Sequence, residues 1–122
     1  MPVAKTPLPL AFVESSVFTR RVSSLGLEEP LRELQAYLLE VPEAGDLDPG
    51  TGGLRKVRIG DPGRGKGKRS GARVHYLWLP AVSLIYFLFV YSKDELDSLT
   101  KAQKQQLRFV VEAIKEEWTN RA

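Results

Sequence analysis

Apolar positions in this chain change period twice, and the changes divide it into elements. Leu10-Ala-Phe-Val-Glu14 is predicted to be a short strand. Ser15 or Ser16 can cap a following helix over Val17–Ser24, and Gly26 can end it. Pro30 suits the first turn of a second helix, where its missing N–H costs nothing. Leu31, Leu34, Leu38 and Leu39 form that helix's apolar stripe, and Pro42 stops it. Glu43–Gly53 is rich in Gly, Asp and Pro and is predicted to be a loop.

From Leu54 the period becomes two. Leu54, Lys56 and Arg58 share one face, and Arg55, Val57 and Ile59 share the other. Gly60–Ser70 carries too much glycine and charge for regular structure. Ala72–Leu79 has the Val, Tyr and Trp content of a strand, Pro80–Ser83 turns the chain, and Leu84–Ser92 is a strongly apolar strand. Strict alternation places Tyr91 and Lys93 on one face with Ile85, Phe87 and Phe89. Thr100-Lys-Ala-Gln103 spells a capping box, and the last helix runs to about Trp118 with Leu107, Val110, Val111, Ile114 and Trp118 on one face. The expected fold is one α+β domain over residues 1–122, ordered β-α-α-β-β-β-α. Helices pack on a small, four-stranded, largely antiparallel sheet, and residues 1–9 form a loose arm.

Composition narrows the chemistry. The chain has no cysteine, which removes disulfides and thiolate metal sites and fits a cytoplasmic setting. Its opening MPVAKTPLPLAFV has two prolines in the apolar stretch and no clear cleavage site, so no signal peptide is expected. The longest apolar run, Leu77–Tyr91, is short of the roughly 20 residues that span a bilayer and is broken by Pro80, so no membrane partner is expected. The formal charge of +3 hides an asymmetry, because Arg55–Arg73 holds eight of the eighteen Lys and Arg residues against one acid, Asp61. One basic zone on a mixed surface points to a polyanionic partner.

Within that zone, Gly60–Gly67 approaches a phosphate-binding P-loop. Gly67 stands where Ser or Thr would hold magnesium, and a strand rather than a helix comes next, so the motif is rejected. What remains is a basic hairpin loop whose Arg64, Lys66, Lys68 and Arg69, beside Arg55, can each meet a phosphate. Lys56 and Arg58 on one strand and Arg73 on the next are rigid cations that could stabilise a pentacoordinate phosphate; a plainly solvated strand face is the competing reading. Tyr91 beside Lys93 reads either as a base-stacking ring with a cation or as a residue closing the core. His75 is the only histidine, so a two-histidine acid–base pair is impossible, and a partly buried structural role is expected for it. No Asp, Glu and His cluster suggests a metal, and no cofactor is expected.

Four separated stretches, FVESSVFTRRV, GTGGLRKVR, GKRSGARVHYLWL and LFVYSKDELDSLTKAQKQQL, occur in the order found in HigB-type toxins of the RelE/ParE superfamily, which the chain resembles from about Phe12 to Lys115. The resemblance implies the toxin of a type II toxin–antitoxin pair. Such a toxin is a metal-independent endoribonuclease that enters the ribosomal A site and cuts mRNA by attack of a 2′-hydroxyl, leaving a 2′,3′-cyclic phosphate. It further implies that Lys56, Arg58 and Arg73 are site cations, that Lys93 fills the basic position after the last strand, and that the partners are the ribosome, mRNA and a cognate antitoxin of helix-turn-helix type. Ser70, His75 and Asp94 depart from the usual pattern. The general base stays open between Tyr91, Tyr76 and a lysine among cations. Within the same superfamily, ParE-like members inhibit DNA gyrase without cutting RNA. That reading, or a catalytically inactive RNA-binding relative, is the alternative.

Overall fold

A computed structural model of the chain describes residues 9–65, 67 and 71–121. Among these residues the fold is α+β, with three helices on a five-stranded mixed open sheet. The elements are β1 (Ala11–Glu14), α1 (Ser16–Leu25), α2 (Glu28–Glu40), β2 (Asp46–Leu47), β3 (Arg55–Ile59), β4 (Ala72–Leu79), β5 (Leu84–Ser92) and α3 (Lys101–Arg121), with 3₁₀ turns at Pro62–Arg64 and Pro80–Val82. Spatial order is β1-β5-β4-β3-β2; β1 runs parallel to β5 and every other pair is antiparallel.

The expectation of four strands in the order β-α-α-β-β-β-α is corrected by β2. This two-residue strand lies inside the Gly- and Asp-rich segment expected to be loop, and pairs Asp46 with Lys56 and Leu47 with Arg55. So short a strand has no periodicity to detect; the edge of β3 makes it. Alternation also fails once. Tyr76 pairs with Phe87 but its neighbour His75 pairs with Phe89, so Leu88 is an extra residue on β5. This bulge reverses the faces of the β5 residues beyond it. Ile85 and Phe87 therefore lie on one side of the sheet, while Phe89 and Tyr91, expected beside them, lie on the other.

Helices α1 and α2 cover the first side. Ser15 caps α1, its Oγ accepting the Phe18 N–H at 3.0 Å, and Gly26 closes it in the left-handed conformation at φ 66°. Phe18, Val22, Leu31, Leu34 and Leu38 pack against Val74, Tyr76, Ile85, Phe87 and Val90. Phe87 stacks between Phe12 and Phe18, at 5.6 and 5.0 Å between centroids. Leu39 points outward, one position off the stripe. On the second side α3 presses Val111 and Ile114, with Leu107 and Trp118 alongside, onto Leu54, Leu77 and Leu88; Val110, expected in that row, is exposed. Thr100 and Gln103 make the capping box at its start, exchanging bonds of 2.9 and 3.1 Å. Lys115 Nζ donates to the Gly52 carbonyl at 2.5 Å, tying the far half of α3 to the turn before β3.

β1 covers β5 only from Leu84 to Phe87. Beyond that, α1 supplies the partners: Ser15 Oγ donates to the Leu88 carbonyl at 2.8 Å and Arg21 Nε to the Val90 carbonyl at 2.6 Å. Arg21 also forks onto the Glu95 carboxylate at 2.6 and 2.8 Å. No helix among the described residues is long and apolar enough to cross a membrane.

Candidate nucleic-acid interface

Register alone assembles the cations. Arg58 stands directly opposite Arg73, and Arg73 opposite Tyr91. Two residues along, Lys56 stands opposite His75, and His75 opposite Phe89. All six share the sheet face that α3 only partly covers, in two rows roughly 7 Å apart. Like charges directly opposite one another destabilise a sheet, so the Arg58–Arg73 pair is costly to the fold.

Exposure sorts the six. Arg58 is exposed and Lys56 half-buried, whereas Arg73 is 6% exposed and Tyr91 1%. Burial, and then the charge of Arg58, lower the proton affinity of Arg73, while Tyr91 and Asp97 oppose them; a guanidinium keeps its charge at neutral pH all the same. Burial raises the pKa of the Tyr91 phenol, with Arg73 acting against it. Its Oη is buried and has no hydrogen-bond partner among the described residues. A ring so enclosed offers no face to a base, and a phenol so raised holds its proton at neutral pH. Tyr76, the other tyrosine considered as a base, lies on the α1–α2 side. Its Oη donates to the Pro42 carbonyl at 2.7 Å and accepts the Gly45 N–H at 2.9 Å, which pins the loop before β2.

Beneath the cations lies a group the sequence did not announce. His75 is fully buried, and its Nε2 meets Asp48 Oδ2 at 2.9 Å. The other Asp48 oxygen takes Lys104 Nζ from α3 at 2.8 Å. Since the carboxylate can only accept, Nε2 carries the ring proton and Nδ1 is the bare acceptor, buried without a partner among the described residues. Burial holds the His75 pKa below 6.5 despite the Asp48 bond. Burial also raises the Asp48 carboxyl, but hydrogen bonds and charge from Lys104 and His75 outweigh it and leave the net value below 3.8. The imidazole stacks on Tyr91 at 5.8 Å. Asp48 is held in place by its own turn: its N–H donates to the Leu54 carbonyl, and buried Thr51 Oγ1 donates back to the Asp48 carbonyl at 2.7 Å.

The remaining expected residues divide. Arg55 faces the α1–α2 side, where its Nη1 donates to the Glu43 and Gly45 carbonyls at 3.1 and 2.8 Å, so its guanidinium holds a loop. Lys93 comes directly after β5, its N–H donating to the Gly71 carbonyl at 3.0 Å. Lys66, Lys68 and Arg69 lie outside the described residues, as does the side chain of Arg64. Asp61, the lone acid of the basic stretch, is fully buried. Among the described residues no three carboxylate or imidazole groups gather as metal ligands. No protein-family model matches the chain.

Proposed function

We propose that the chain is the toxin of a type II toxin–antitoxin pair, similar to HigB within the RelE/ParE superfamily, and that it cleaves mRNA in the ribosomal A site. The observation that carries this reading is the like-charge cluster of Arg58 opposite Arg73, with Lys56 two residues away on the same rigid face. A sheet gains nothing from such a cluster, while a phosphate passing through a doubly charged transition state does.

In the proposed reaction the 2′-hydroxyl oxygen bonds to the adjacent phosphorus and the P–O5′ bond breaks. A base takes the hydroxyl proton and an acid supplies one to the departing 5′-oxygen, leaving a 2′,3′-cyclic phosphate and a 5′-hydroxyl end. Arg58 and Lys56 meet the phosphate from the solvent side, and Arg73 supports the charge from behind. Tyr91 braces Arg73. Both tyrosines are protonated and enclosed, so neither is the group that takes the hydroxyl proton. Arg64, Lys66, Lys68 and Arg69 grip ribosomal RNA, and a cognate antitoxin neutralises the basic face in the cytoplasm. Incubating translating ribosomes with the protein and mapping mRNA ends tests this: cuts within A-site codons bearing 2′,3′-cyclic termini are expected, and intact mRNA would overturn it.

The near-complete burial of Arg73 and Tyr91 favours one competing reading, a ParE-like inhibitor that binds DNA gyrase without chemistry. It requires uncut mRNA together with stalled gyrase complexes in the same preparation.

A further inference from the structure

The strand cations are not the only basic surface on the α3 side. Between the Pro49–Gly50 turn and the first half of α3 opens a cleft of about 530 Å³. Lys101, Lys104 and Arg108 line it with Gln105 and Leu99, and no acidic side chain does. Positions 101, 104 and 108 recur at helical spacing, so their stems rise from one face of α3. The placement runs against the fold's own electrostatics. The start of a helix carries the positive end of its dipole and favours acids, yet the first turn of α3 contains none and carries lysines instead.

Existing partners satisfy this charge only in part. Asp48 neutralises Lys104 while its other oxygen takes the Nε2–H of the neutral His75 ring, and no ion pair is found for Lys101 among the described residues. Arg108 Nε meets Glu112 at 3.1 Å in an exposed pair, which leaves the rest of its guanidinium fork available. Gly50, at φ 85°, gives the opposite wall a bare backbone against which a chain can lie closely. A buried link joins the cleft to the cation rows: Asp48 bonds both Lys104 and His75, and His75 stands opposite Lys56 on the sheet.

We infer that this cleft is a second backbone subsite for single-stranded RNA, in which Lys101, Lys104 and Arg108 hold phosphates flanking the one at Arg58 and Arg73. The inference rests on the RNA reading above and extends it to the length of strand the protein embraces.

The test is the salt dependence of binding to a short fluorescein-labelled single-stranded RNA, read by anisotropy between about 50 and 200 mM salt. Each phosphate contact on a single strand contributes about 0.7 to the slope of log K against log salt. The double variant Lys101→Ala/Arg108→Ala is expected to lower that slope by about 1 to 1.5. Gln105→Glu, which adds an acid to the cleft without removing packing, is expected to weaken binding. Arg32→Ala, on exposed α2, is the control and should change neither. A double variant with the wild-type slope, or Gln105→Glu with wild-type affinity, would overturn the subsite. The two readings fail separately. Normal mRNA cleavage with an unchanged slope removes the cleft alone; uncut mRNA with a lowered slope removes the nuclease and leaves the cleft; no RNA binding by the wild type removes both.

Discussion

At the scale of single residues, the informative positions are those where stability and charge disagree. Arg58 opposite Arg73 costs the sheet something on the order of 0.2–1 kcal/mol. Arg58→Ala is therefore expected to cut the rate of mRNA cleavage roughly 10²–10³-fold while leaving the melting temperature unchanged or raised. A parallel fall in both would make Arg58 structural. Tyr91→Phe removes a buried hydroxyl that has no hydrogen-bond partner among the described residues, so stability should hold or rise and cleavage should persist. Loss of cleavage in that variant would show a phenol acting directly. His75 supplies the pH dependence. Its folded pKa is depressed, so the unfolded chain binds the extra proton first; stability is complete above about 6.5 and is lost progressively as pH falls from there through the folded value. Asp48, itself depressed, gives up its contribution only below 3.8. Melting temperature against pH should show the His75 loss, and His75→Gln should flatten it. Alternation put Lys56 and Arg58 on one face of a strand, because strand residues two apart share a face, while Arg73, on the next strand, was joined to them by the expected hairpin and the family resemblance. Asp48 stayed hidden, since it sits in a Gly-rich turn and both its partners are distant in sequence.

At the scale of elements, backbone detail decides which face a side chain serves. The extra residue at Leu88 separates Phe87, in the core under α1, from Tyr91, beside the cations. Nothing in an apolar run such as LIYFLFVYS marks where a bulge will fall, so the strand was legible and its two faces were not. The helices were legible from their caps and stripes, except where one leucine or valine too many joined the stripe. The turn into β4 depends on Gly71, where a Cβ would press on the carbonyls of Ile59 and Gly67. Gly71→Ala should destabilise the protein by about 1–3 kcal/mol in urea unfolding, because both obstacles are backbone and cannot swing aside. An unchanged midpoint would mean that the hairpin yields there.

For the molecule as a whole, the two sides of the sheet have different work. One is closed by α1 and α2 over a continuous apolar core, and the other is shared between the end of α3 and the cations. That division was implicit in the sequence, where a basic stretch of nineteen residues interrupts an otherwise ordinary alternation of helix and strand. The depth at which Arg73 and Tyr91 sit was not, because burial of a strand residue depends on segments that pack over it from elsewhere in the chain. The short reach of β1 leaves the second half of β5 with a flank that Ser15 and Arg21 occupy. Those two side chains behave as doorstops against strand-to-strand stacking between copies: with Ser15→Ala and Arg21→Ala together, the carbonyl row of Leu88 and Val90 becomes a template for another chain, and the double variant should scatter light on concentration while the parent stays clear.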